Sequence, residues 1–404
     1  MLRISNNFFG AILLISGTTI GAGMLALPVV TSFSGFLPST LVFLFIWALM
    51  LVTAYFFLDV NLSVKGEPNL ISMAGRTMGL PGKTVSWIFY LLLLYALLAA
   101  YIAASAPLFA RGVQYILGWD LPCWLPPFFL PIVFGTVIYF GTKGVDYANR
   151  LLMLGLVLSY VLIVLFVPAH IESANFTHVD FAASLLSIPI VLTSFGFHII
   201  IPSLTTYLEH NKKLLKKALL IGSLIPFVIY IIWQVLVLGV VPLSLLSQAW
   251  VEGASATDPL AQVLGMGWIK VAARFFSFFA IVTSFLGVSL SLSDFLKDGC
   301  KLKKTWEGRL FAYGLTFIPP IVFVFTCRRG FYLALEYAGA FVAILLGVIP
   351  AAMAWKLKGH PFYSCWKGKA LIILVILVCL SLVLVDIVEK RGLLQGLVQD
   401  YIAR

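Results

Sequence analysis

Long apolar segments separated by short polar connections run the length of this chain. A helix that crosses a membrane needs about 20 mostly apolar residues, and eleven segments reach or approach that length. They cover residues 8–31, 36–59, 84–110, 128–142, 150–168, 183–207, 218–241, 270–296, 309–326, 331–355 and 369–388. The pattern predicts an all-α polytopic membrane protein with 11 transmembrane helices in a single integral membrane domain, 1–404.

The composition excludes the soluble alternatives. Apolar residues make up 61% of the chain and charged residues 11%, against roughly 45–50% and about 25% in soluble domains. Since a soluble fold cannot bury so much apolar surface, a soluble enzyme, a secreted disulfide scaffold and a disordered chain are excluded. The five cysteines are scattered singly without metal-ligand spacing, so we interpret them as packing thiols and expect no metal site.

Lysine and arginine are distributed unequally between the two sides of the predicted bundle. If the N-terminus lies inside, the inner connections hold 19 of these 27 residues and the outer connections hold 8. Cytoplasmic loops of membrane proteins carry such an excess, which predicts an inside N-terminus and an outside C-terminus. The net charge of +11 then reflects basic loops that face anionic lipid, and not a nucleic-acid surface.

The first apolar segment is interrupted near its centre. Residues 17–23 read GTTIGAG, and each glycine costs a helix roughly 0.5–1 kcal/mol relative to alanine. Small residues four apart, such as Gly17 and Gly21, also let helices pack closely. Because Gly23 lies on another face, we interpret the segment as unwound backbone at mid-membrane, with close helix packing as the alternative.

The sixth segment carries a second interruption. TSFGFH occupies residues 193–198 and Pro202 follows; a proline removes one backbone donor from a helix. A simple proline kink is the alternative here. The positions favour a shared explanation, because each interruption lies in the first helix of a set of five spans, and the two sets run in opposite directions.

Two such sets of spans are typical of secondary transporters with an inverted repeat. The predicted first repeat covers residues 1–168, the second covers 183–355, and 356–404 holds the eleventh span and an external C-terminal tail. Unwound backbone at membrane depth is tolerated where it lines a cavity. Freed N–H groups at a half-helix N-terminus can bind a carboxylate, and freed carbonyls an ammonium group, which indicates a zwitterionic amino acid as the substrate.

Three motifs resemble those of a known family. They are GTTIGAGMLALP at 17–28, TSFGFHIIIPSL at 193–204 and IVTSFLGVSL at 281–290. They are similar to the hydroxy/aromatic amino acid permeases, which are the bacterial tyrosine and tryptophan permeases, and the length and loops resemble the chlamydial tyrosine-transport branch. The resemblance implies the leucine-transporter fold, a five-plus-five inverted repeat with broken helices 1 and 6. It also implies symport of an aromatic amino acid across the bacterial cytoplasmic membrane, with no cofactor besides a coupling ion, H⁺ or Na⁺.

The resemblance also implies which residues contact the substrate. Backbone N–H groups of 21–23 would face the carboxylate, carbonyls near 17–18 and Ser194 would face the ammonium group, and 195–197 would line the ring pocket. The residues in question are Gly17, Thr18, Gly21, Ala22, Gly23, Ser194, Phe195, Gly196 and Phe197.

Two tyrosines of the third segment are further candidates for the ring pocket. Tyr95 and Tyr101 lie among small residues, and aromatic faces can stack on an aromatic substrate. Aromatic residues make up 14% of the chain, so the alternative is that either tyrosine faces lipid or a neighbouring helix.

Two routes could couple transport to an ion. By resemblance, the oxygens of a sodium site would be the carbonyls of Gly17, Ile20 and Ala280 with the hydroxyls of Thr283 and Ser284. The alternative is that the two hydroxyls bond back to their own helix. The family is usually described as proton-driven, and intramembrane ionisable groups are functional candidates. His198 and Glu336 are such groups, although a lone histidine is often a neutral hydrogen-bonding residue.

Charged residues near the span ends suggest gates. By analogy with the fold, Arg3 could pair with Asp294 or Asp298 on the inner side, and Glu336 with Arg274 or Arg111 on the outer side. Headgroup solvation is the alternative for the span-end carboxylates, which include Asp59, Asp294 and Asp386. A channel or a membrane-embedded enzyme fits less well, because the repeat is internal and the apolar segments hold no paired nucleophile and base.

Overall fold

The apolar segments form long α-helices. The structure is a computed structural model that describes residues 2–64, 66, 68–139, 142–265, 267–301, 305–327, 329–357 and 359–390, with the backbone alone at 2–6, 138–139, 142–147 and 389. Its helices are α1 (Leu2–Thr19), α2 (Leu27–Ser32), α3 (Phe36–Ser63), α4 (Leu70–Leu117), α5 (Pro126–Tyr139), α6 (Thr142–Phe166), α7 (Ile188–Ser194), α8 (Ile201–Tyr207), α9 (Lys212–Val240), α10 (Leu243–Glu252), α11 (Thr257–Leu264), α12 (Gly267–Gly299), α13 (Trp306–Thr326), α14 (Gly330–Val342), α15 (Ile349–Trp355), α16 (Pro361–Ser364) and α17 (Trp366–Lys390).

Each predicted span coincides with a helix, but the count of 11 crossings is not confirmed. Within the described residues, nine helical segments are long and apolar enough to cross a membrane, and the bent pair Asn7–Thr19 and Ala22–Ser32 makes ten if it counts as one. The fourth predicted span is α5, whose 14 residues fall short of a full crossing. The repeat boundaries stay predictions, and the tail over 391–404 lies outside the described residues.

The helix α4 contains one non-helical residue. Gly79 has φ 74° and ψ −161°, a conformation that side chains other than hydrogen disfavour. It separates the membrane-crossing part of α4 from a short leading segment, which begins where the Asn69 side chain accepts a hydrogen bond from the Ser72 N–H at 2.9 Å. The glycine therefore allows the kink between the two parts of α4.

Close backbone contacts hold the broken helices against their neighbours. A Cβ added to Gly339 of α14 would lie 2.1 Å from the carbonyl oxygen of Pro189 in α7, so the two backbones touch. Thr193 of α7 donates to the Leu335 carbonyl of α14 at 3.1 Å. On the other side, Ser16 of α1 donates to the Gly222 carbonyl of α9 at 2.9 Å. The first broken helix is thus fixed to α9 and the second to α14.

The end of the bundle at which α4 terminates is covered by α10 and α11; we call it the α11 end. Arg111 of α4 and Asp258 of α11 form a bidentate ion pair with both N–O distances at 2.8 Å. Trp250 of α10 packs on Phe33, with ring centroids 5.8 Å apart, and on Tyr332, at 4.6 Å. These contacts join α10 and α11 to α4, to α14 and to the turn that follows α2.

The opposite end, which we call the α16 end, is organised around one carboxylate. Asp59 of α3 is only 5% exposed, its Oδ1 lies 2.7 Å from Lys212 Nζ of α9, and Tyr363 of α16 donates to its Oδ2 at 2.8 Å. Burial lowers the pKa of the His360 imidazole, and the Asp59 carboxylate opposes this shift. Lys212 is therefore the main cation that balances Asp59, and headgroup solvation is the wrong interpretation of this residue.

The Gly339–Pro189 contact predicts a large difference between two glycine substitutions. Gly339→Ala forces a methyl group into backbone atoms and should lower the melting temperature in detergent markedly, because overpacking costs about 1–3 kcal/mol or more. Gly287→Ala in α12 meets no atom within 4 Å and should leave the temperature unchanged or raise it. Equal melting temperatures for the two variants would show that α7 and α14 are not held this closely.

Candidate functional site

The first predicted interruption is a break in the helix. α1 ends at Thr19, Gly21 is extended with φ −149° and ψ −167°, and a 3₁₀ turn over Ala22–Leu25 leads into α2. The axes on the two sides differ by 48°. Close packing of an intact helix, the alternative interpretation, is therefore wrong, because the backbone leaves the helical conformation at Gly21.

The second predicted interruption is also a break and not a simple kink. α7 ends at Ser194, Phe195 has φ −108° and ψ 20°, and a 3₁₀ turn over His198–Ile200 leads into α8. The Gly196 N–H reaches the Thr193 carbonyl at 3.3 Å. The regular ladder of hydrogen bonds is thus interrupted several residues before Pro202.

The two breaks meet each other and α12. A Cβ on Gly23 would lie 2.9 Å from Ser194 Oγ, and a Cβ on Gly21 would lie 2.9 Å from Ser284 Oγ. The Ala22 N–H donates to Ser284 Oγ at 3.1 Å, which satisfies one of the amides freed by the break. A methyl group at either position would displace the serine hydroxyl that lies there.

Two aromatic side chains of α9 hold the breaks together, and the sequence analysis missed both. The buried Tyr230 hydroxyl lies 2.7 Å from the Thr19 carbonyl oxygen and 3.1 Å from that of Ser194, so it donates to the ends of α1 and α7. Trp233 donates through Nε1 to the Met24 carbonyl at 2.9 Å. Polar aromatic residues three apart lie on one helix face, and this spacing in an apolar segment was the available signal.

The two candidate tyrosines of α4 face different neighbours. Tyr101 is buried, and its hydroxyl interacts electrostatically with the Ser284 side chain and with Tyr230. Tyr95 donates to the Leu315 carbonyl of α13 at 2.8 Å. The structure therefore brings Tyr101, and not Tyr95, to the junction of the breaks.

The predicted ring-pocket residues lie at the second break. Phe195 and Phe197 are buried, and the Phe195 ring packs edge-on against Tyr230 with centroids 5.4 Å apart. A Cβ on Gly196 would lie 3.5 Å from Leu346 Cδ1, which belongs to a π-helical segment, Ala343–Val348. Such segments occur frequently at functional sites.

Of the predicted carbonyl positions, Ser194 lies at the junction, whereas Gly17 and Thr18 come just before Thr19, the α1 residue whose carbonyl lies there. The Thr18 side chain is exposed and its hydroxyl bonds back to the Ile15 carbonyl at 3.1 Å. A Cβ on Gly17 would have only Met153 Cε near it, at 3.9 Å. The Tyr230 hydroxyl contacts the carbonyls of Thr19 and Ser194. In α1 the carbonyl at the junction is therefore one residue later than the predicted Thr18.

Two of the oxygens predicted to bind sodium, the hydroxyls of Thr283 and Ser284, already take part in hydrogen bonds. Thr283 donates to the Phe279 carbonyl at 2.8 Å and also lies 3.3 Å from the Ala280 carbonyl, so it bonds back to its own helix. Ser284 instead accepts from Ala22. The Ile20 N–H remains helical, with the Ser16 carbonyl at 2.9 Å. The sodium site stays a prediction.

The two titratable candidates face different neighbours. His198 is buried and its Nε2 lies 2.9 Å from Thr53 Oγ1 of α3, so it faces α3. Glu336 of α14 is 5% exposed and interacts electrostatically with Lys390, Arg329 and Asp386.

The two carboxylates of the predicted inner gate have different surroundings. Asp294 pairs with Lys297 of its own helix at 3.2 Å, and Asp298 borders a cavity of about 750 Å³ that Arg76 and Lys83 also line. The Arg3 side chain lies outside the described residues.

On the other side, Glu336 is not joined to Arg111, whose partner is Asp258. Asp386 is also paired, with Lys390 at 2.6 Å, and not solvated by headgroups.

Comparisons with known proteins agree with this geometry. The sequence profile of the Tryptophan/tyrosine permease family matches residues 4–386. The chain belongs to this family. The permease is 31% identical over 400 residues to the tyrosine-specific transport system 1 of Haemophilus influenzae, covering 96% of this chain and 98% of that protein. It is 29% identical to the tryptophan-specific transport protein of Pseudomonas aeruginosa, covering 92% of each chain.

A solved structure supports the fold. The crystal structure of MhsT in complex with L-phenylalanine matches with a TM-score of 0.61 at 14% identity, covering 94% of the permease and 97% of that chain. The leucine-transporter-like fold predicted from the motifs is therefore confirmed. The chain is a multi-pass permease of the bacterial inner membrane and not an enzyme.

The contact between Ala22 and Ser284 predicts the effect of removing one hydroxyl. Ser284→Ala leaves the Ala22 amide without its acceptor, which costs about 1–3 kcal/mol for a buried donor, and should raise the KM for uptake of a labelled aromatic amino acid about tenfold. Ser291→Ala is the matched control, because Ser291 is exposed and bonds its own helix at Gly287. If both variants change KM equally, the Ser284 contact has no special role.

Proposed function

We propose that the permease is a secondary active symporter that imports an aromatic amino acid, tyrosine first and tryptophan next, driven by a proton or sodium gradient. One observation carries the proposal. Two helix breaks, one in each predicted repeat, meet around the buried Tyr230 hydroxyl, which contacts the last carbonyl of each broken helix, at Thr19 and Ser194.

The junction offers groups for each part of such a substrate. The backbone amides over 21–23 lie at the start of the 3₁₀ turn that leads into α2. Free amides at the N-terminal end of helical structure would stabilise a carboxylate. The carbonyls of Thr19 and Ser194 end two helices and favour a cation. Phe195 and Phe197 supply aromatic surface, and the names of the two relatives, one tyrosine-specific and one tryptophan-specific, support an aromatic side chain.

Alternating access would use the two ends of the bundle. In this proposal the N-terminus is inside, so the α11 end faces outward and the α16 end faces the cytoplasm. The predicted moving bundle of spans 1, 2, 6 and 7 corresponds to α1–α3 and α7–α9, and the predicted scaffold of spans 3, 4, 8 and 9 to α4, α5, α12 and α13. The Arg111–Asp258 pair closes the outer end, and the Asp59 cluster joins α3 and α9 to α16 at the inner end.

The coupling ion has two candidate routes. Sodium would be held by the carbonyls and hydroxyls between α1 and α12, in which Thr283 keeps lone pairs free to coordinate a cation. A proton would use Glu336 or His198, of which Glu336 lies in a cluster with Asp386 and Lys390. The proposal includes no other cofactor.

Uptake into proteoliposomes tests the function. Labelled tyrosine, tryptophan and leucine are presented under separately imposed sodium and proton gradients. We expect concentrative uptake of tyrosine or tryptophan that excess leucine does not inhibit, and no concentration above the external level without a gradient. Aromatic uptake that only equilibrates contradicts symport, and uptake of leucine alone contradicts the aromatic substrate.

Two variants assign the coupling ion. If sodium drives uptake, Thr283→Ala should raise the half-saturating sodium concentration about tenfold or more and Glu336→Gln should leave it unchanged. If protons drive uptake through Glu336, Glu336→Gln should abolish concentration while exchange of labelled for unlabelled substrate continues, and Thr283→Ala should retain concentration. If Glu336→Gln still concentrates substrate under a proton gradient, His198 is the remaining candidate. Exchange is measured in the same vesicles, so a misfolded variant is recognised by the loss of both activities.

A further inference from the structure

The ends of two helices point their carbonyls at one buried position. α1 ends at Thr19 and α7 ends at Ser194, and the last carbonyls of a helix have no partner within it. Both helix C-termini also carry partial negative charge from the helix dipole. Tyr230 Oη lies 2.7 Å and 3.1 Å from these two carbonyl oxygens, so it occupies the point at which both negative ends converge.

One tyrosine hydroxyl cannot satisfy both of these carbonyl oxygens by itself. It carries a single hydrogen, so it donates fully to only one of the two carbonyls at a time. Its own oxygen still has acceptor capacity, and Tyr230 is buried with a relative exposure of 1%. An ammonium group has three N–H donors and a positive charge, and it would satisfy the Thr19 carbonyl, the Ser194 carbonyl and the Tyr230 oxygen together.

The amide side of the junction lies beside these carbonyls. A Cβ on Gly23 would lie 2.9 Å from Ser194 Oγ, and the Ala22 N–H, one residue earlier, donates to Ser284 Oγ at 3.1 Å. The helix end at Ser194 and the amides freed by the first break are therefore neighbours. The two sides are arranged for charged groups on neighbouring atoms, as in an α-amino acid.

We infer that Tyr230 is a positioning residue for the α-ammonium group of the substrate. Its hydroxyl holds the Thr19 and Ser194 carbonyls at one point, and when the substrate binds it becomes an acceptor for one ammonium N–H. This inference rests on the proposed function, because it assumes that an amino acid binds at the junction. It adds that a free α-ammonium group is recognised through α9, a helix that lies outside both breaks.

A pair of ligands that differ only in the ammonium group tests the inference. L-Tyrosine and 3-(4-hydroxyphenyl)propanoate share the ring and the carboxylate, and both are measured by competition with a labelled substrate on the purified permease. Tyr230→Phe should weaken L-tyrosine about tenfold or more and change the propanoate less than twofold. In uptake, the variant should raise KM far more than it lowers kcat.

Tyr160→Phe is the matched control. Tyr160 of α6 donates to the carbonyl of Ile229, the residue before Tyr230, at 3.1 Å, so its variant removes a neighbouring tyrosine–carbonyl bond on α9. We expect both ligands to keep their affinities in this variant. If Tyr230→Phe cannot be purified in folded form, Tyr230→Met replaces it, with the same expected difference between the two ligands.

The outcomes separate this inference from the proposed function. Equal weakening of both ligands by Tyr230→Phe would mean that the hydroxyl only braces the helices, and the inference would be wrong while the function stands. If the wild type binds no aromatic ligand but transports another amino acid, the aromatic substrate is wrong. The ligand pair is then that amino acid and its deaminated analogue, with the same expectation for Tyr230→Phe. A wild type that binds no amino acid overturns both.

Discussion

Every backbone polar group inside a bilayer needs a partner within the protein, and this requirement organises the permease. An intact helix meets it locally, but the breaks after Thr19 and Ser194 release amides and carbonyls at membrane depth. The structure meets it with side chains from other helices: Ser284 accepts from Ala22, Tyr230 donates to the two helix ends, and Trp233 donates to Met24. The site is therefore built from the groups that repair the breaks.

This repair explains why α9 and α12 are as important to the site as the broken helices. A substrate that binds here must take over contacts that these helices provide. The exchange is favourable only for a molecule with several donors at one end and acceptors at the other, since burying an unpaired polar group is costly. In the proposed function, the junction would select a zwitterion by the same physical rule that makes the breaks tolerable.

The ends of the bundle illustrate a second constraint, the cost of burying charge. Asp59 is nearly excluded from solvent and is balanced by Lys212 and Tyr363, and Arg111 meets Asp258 with two hydrogen bonds. Arg111 and Lys212 are themselves partly exposed, with 38% and 47% of their side chains accessible, so the cost of burial falls on the carboxylates. Removing the basic partner would leave a largely buried carboxylate without its balancing charge.

The sequence by itself determined the features that depend on local patterns. The apolar runs showed where the membrane helices lie, and glycine, threonine and proline marked both breaks. Both features depend on residues that are neighbours in the sequence. Only the tertiary structure decided which side chains complete the site. Tyr230, Ser284 and the breaks are far apart in sequence, Tyr95 and Tyr101 look alike in the sequence, and their partners are set by how the helices pack. The count of 11 crossings stays a prediction, because α5, with 14 residues, is too short for its length to establish a crossing.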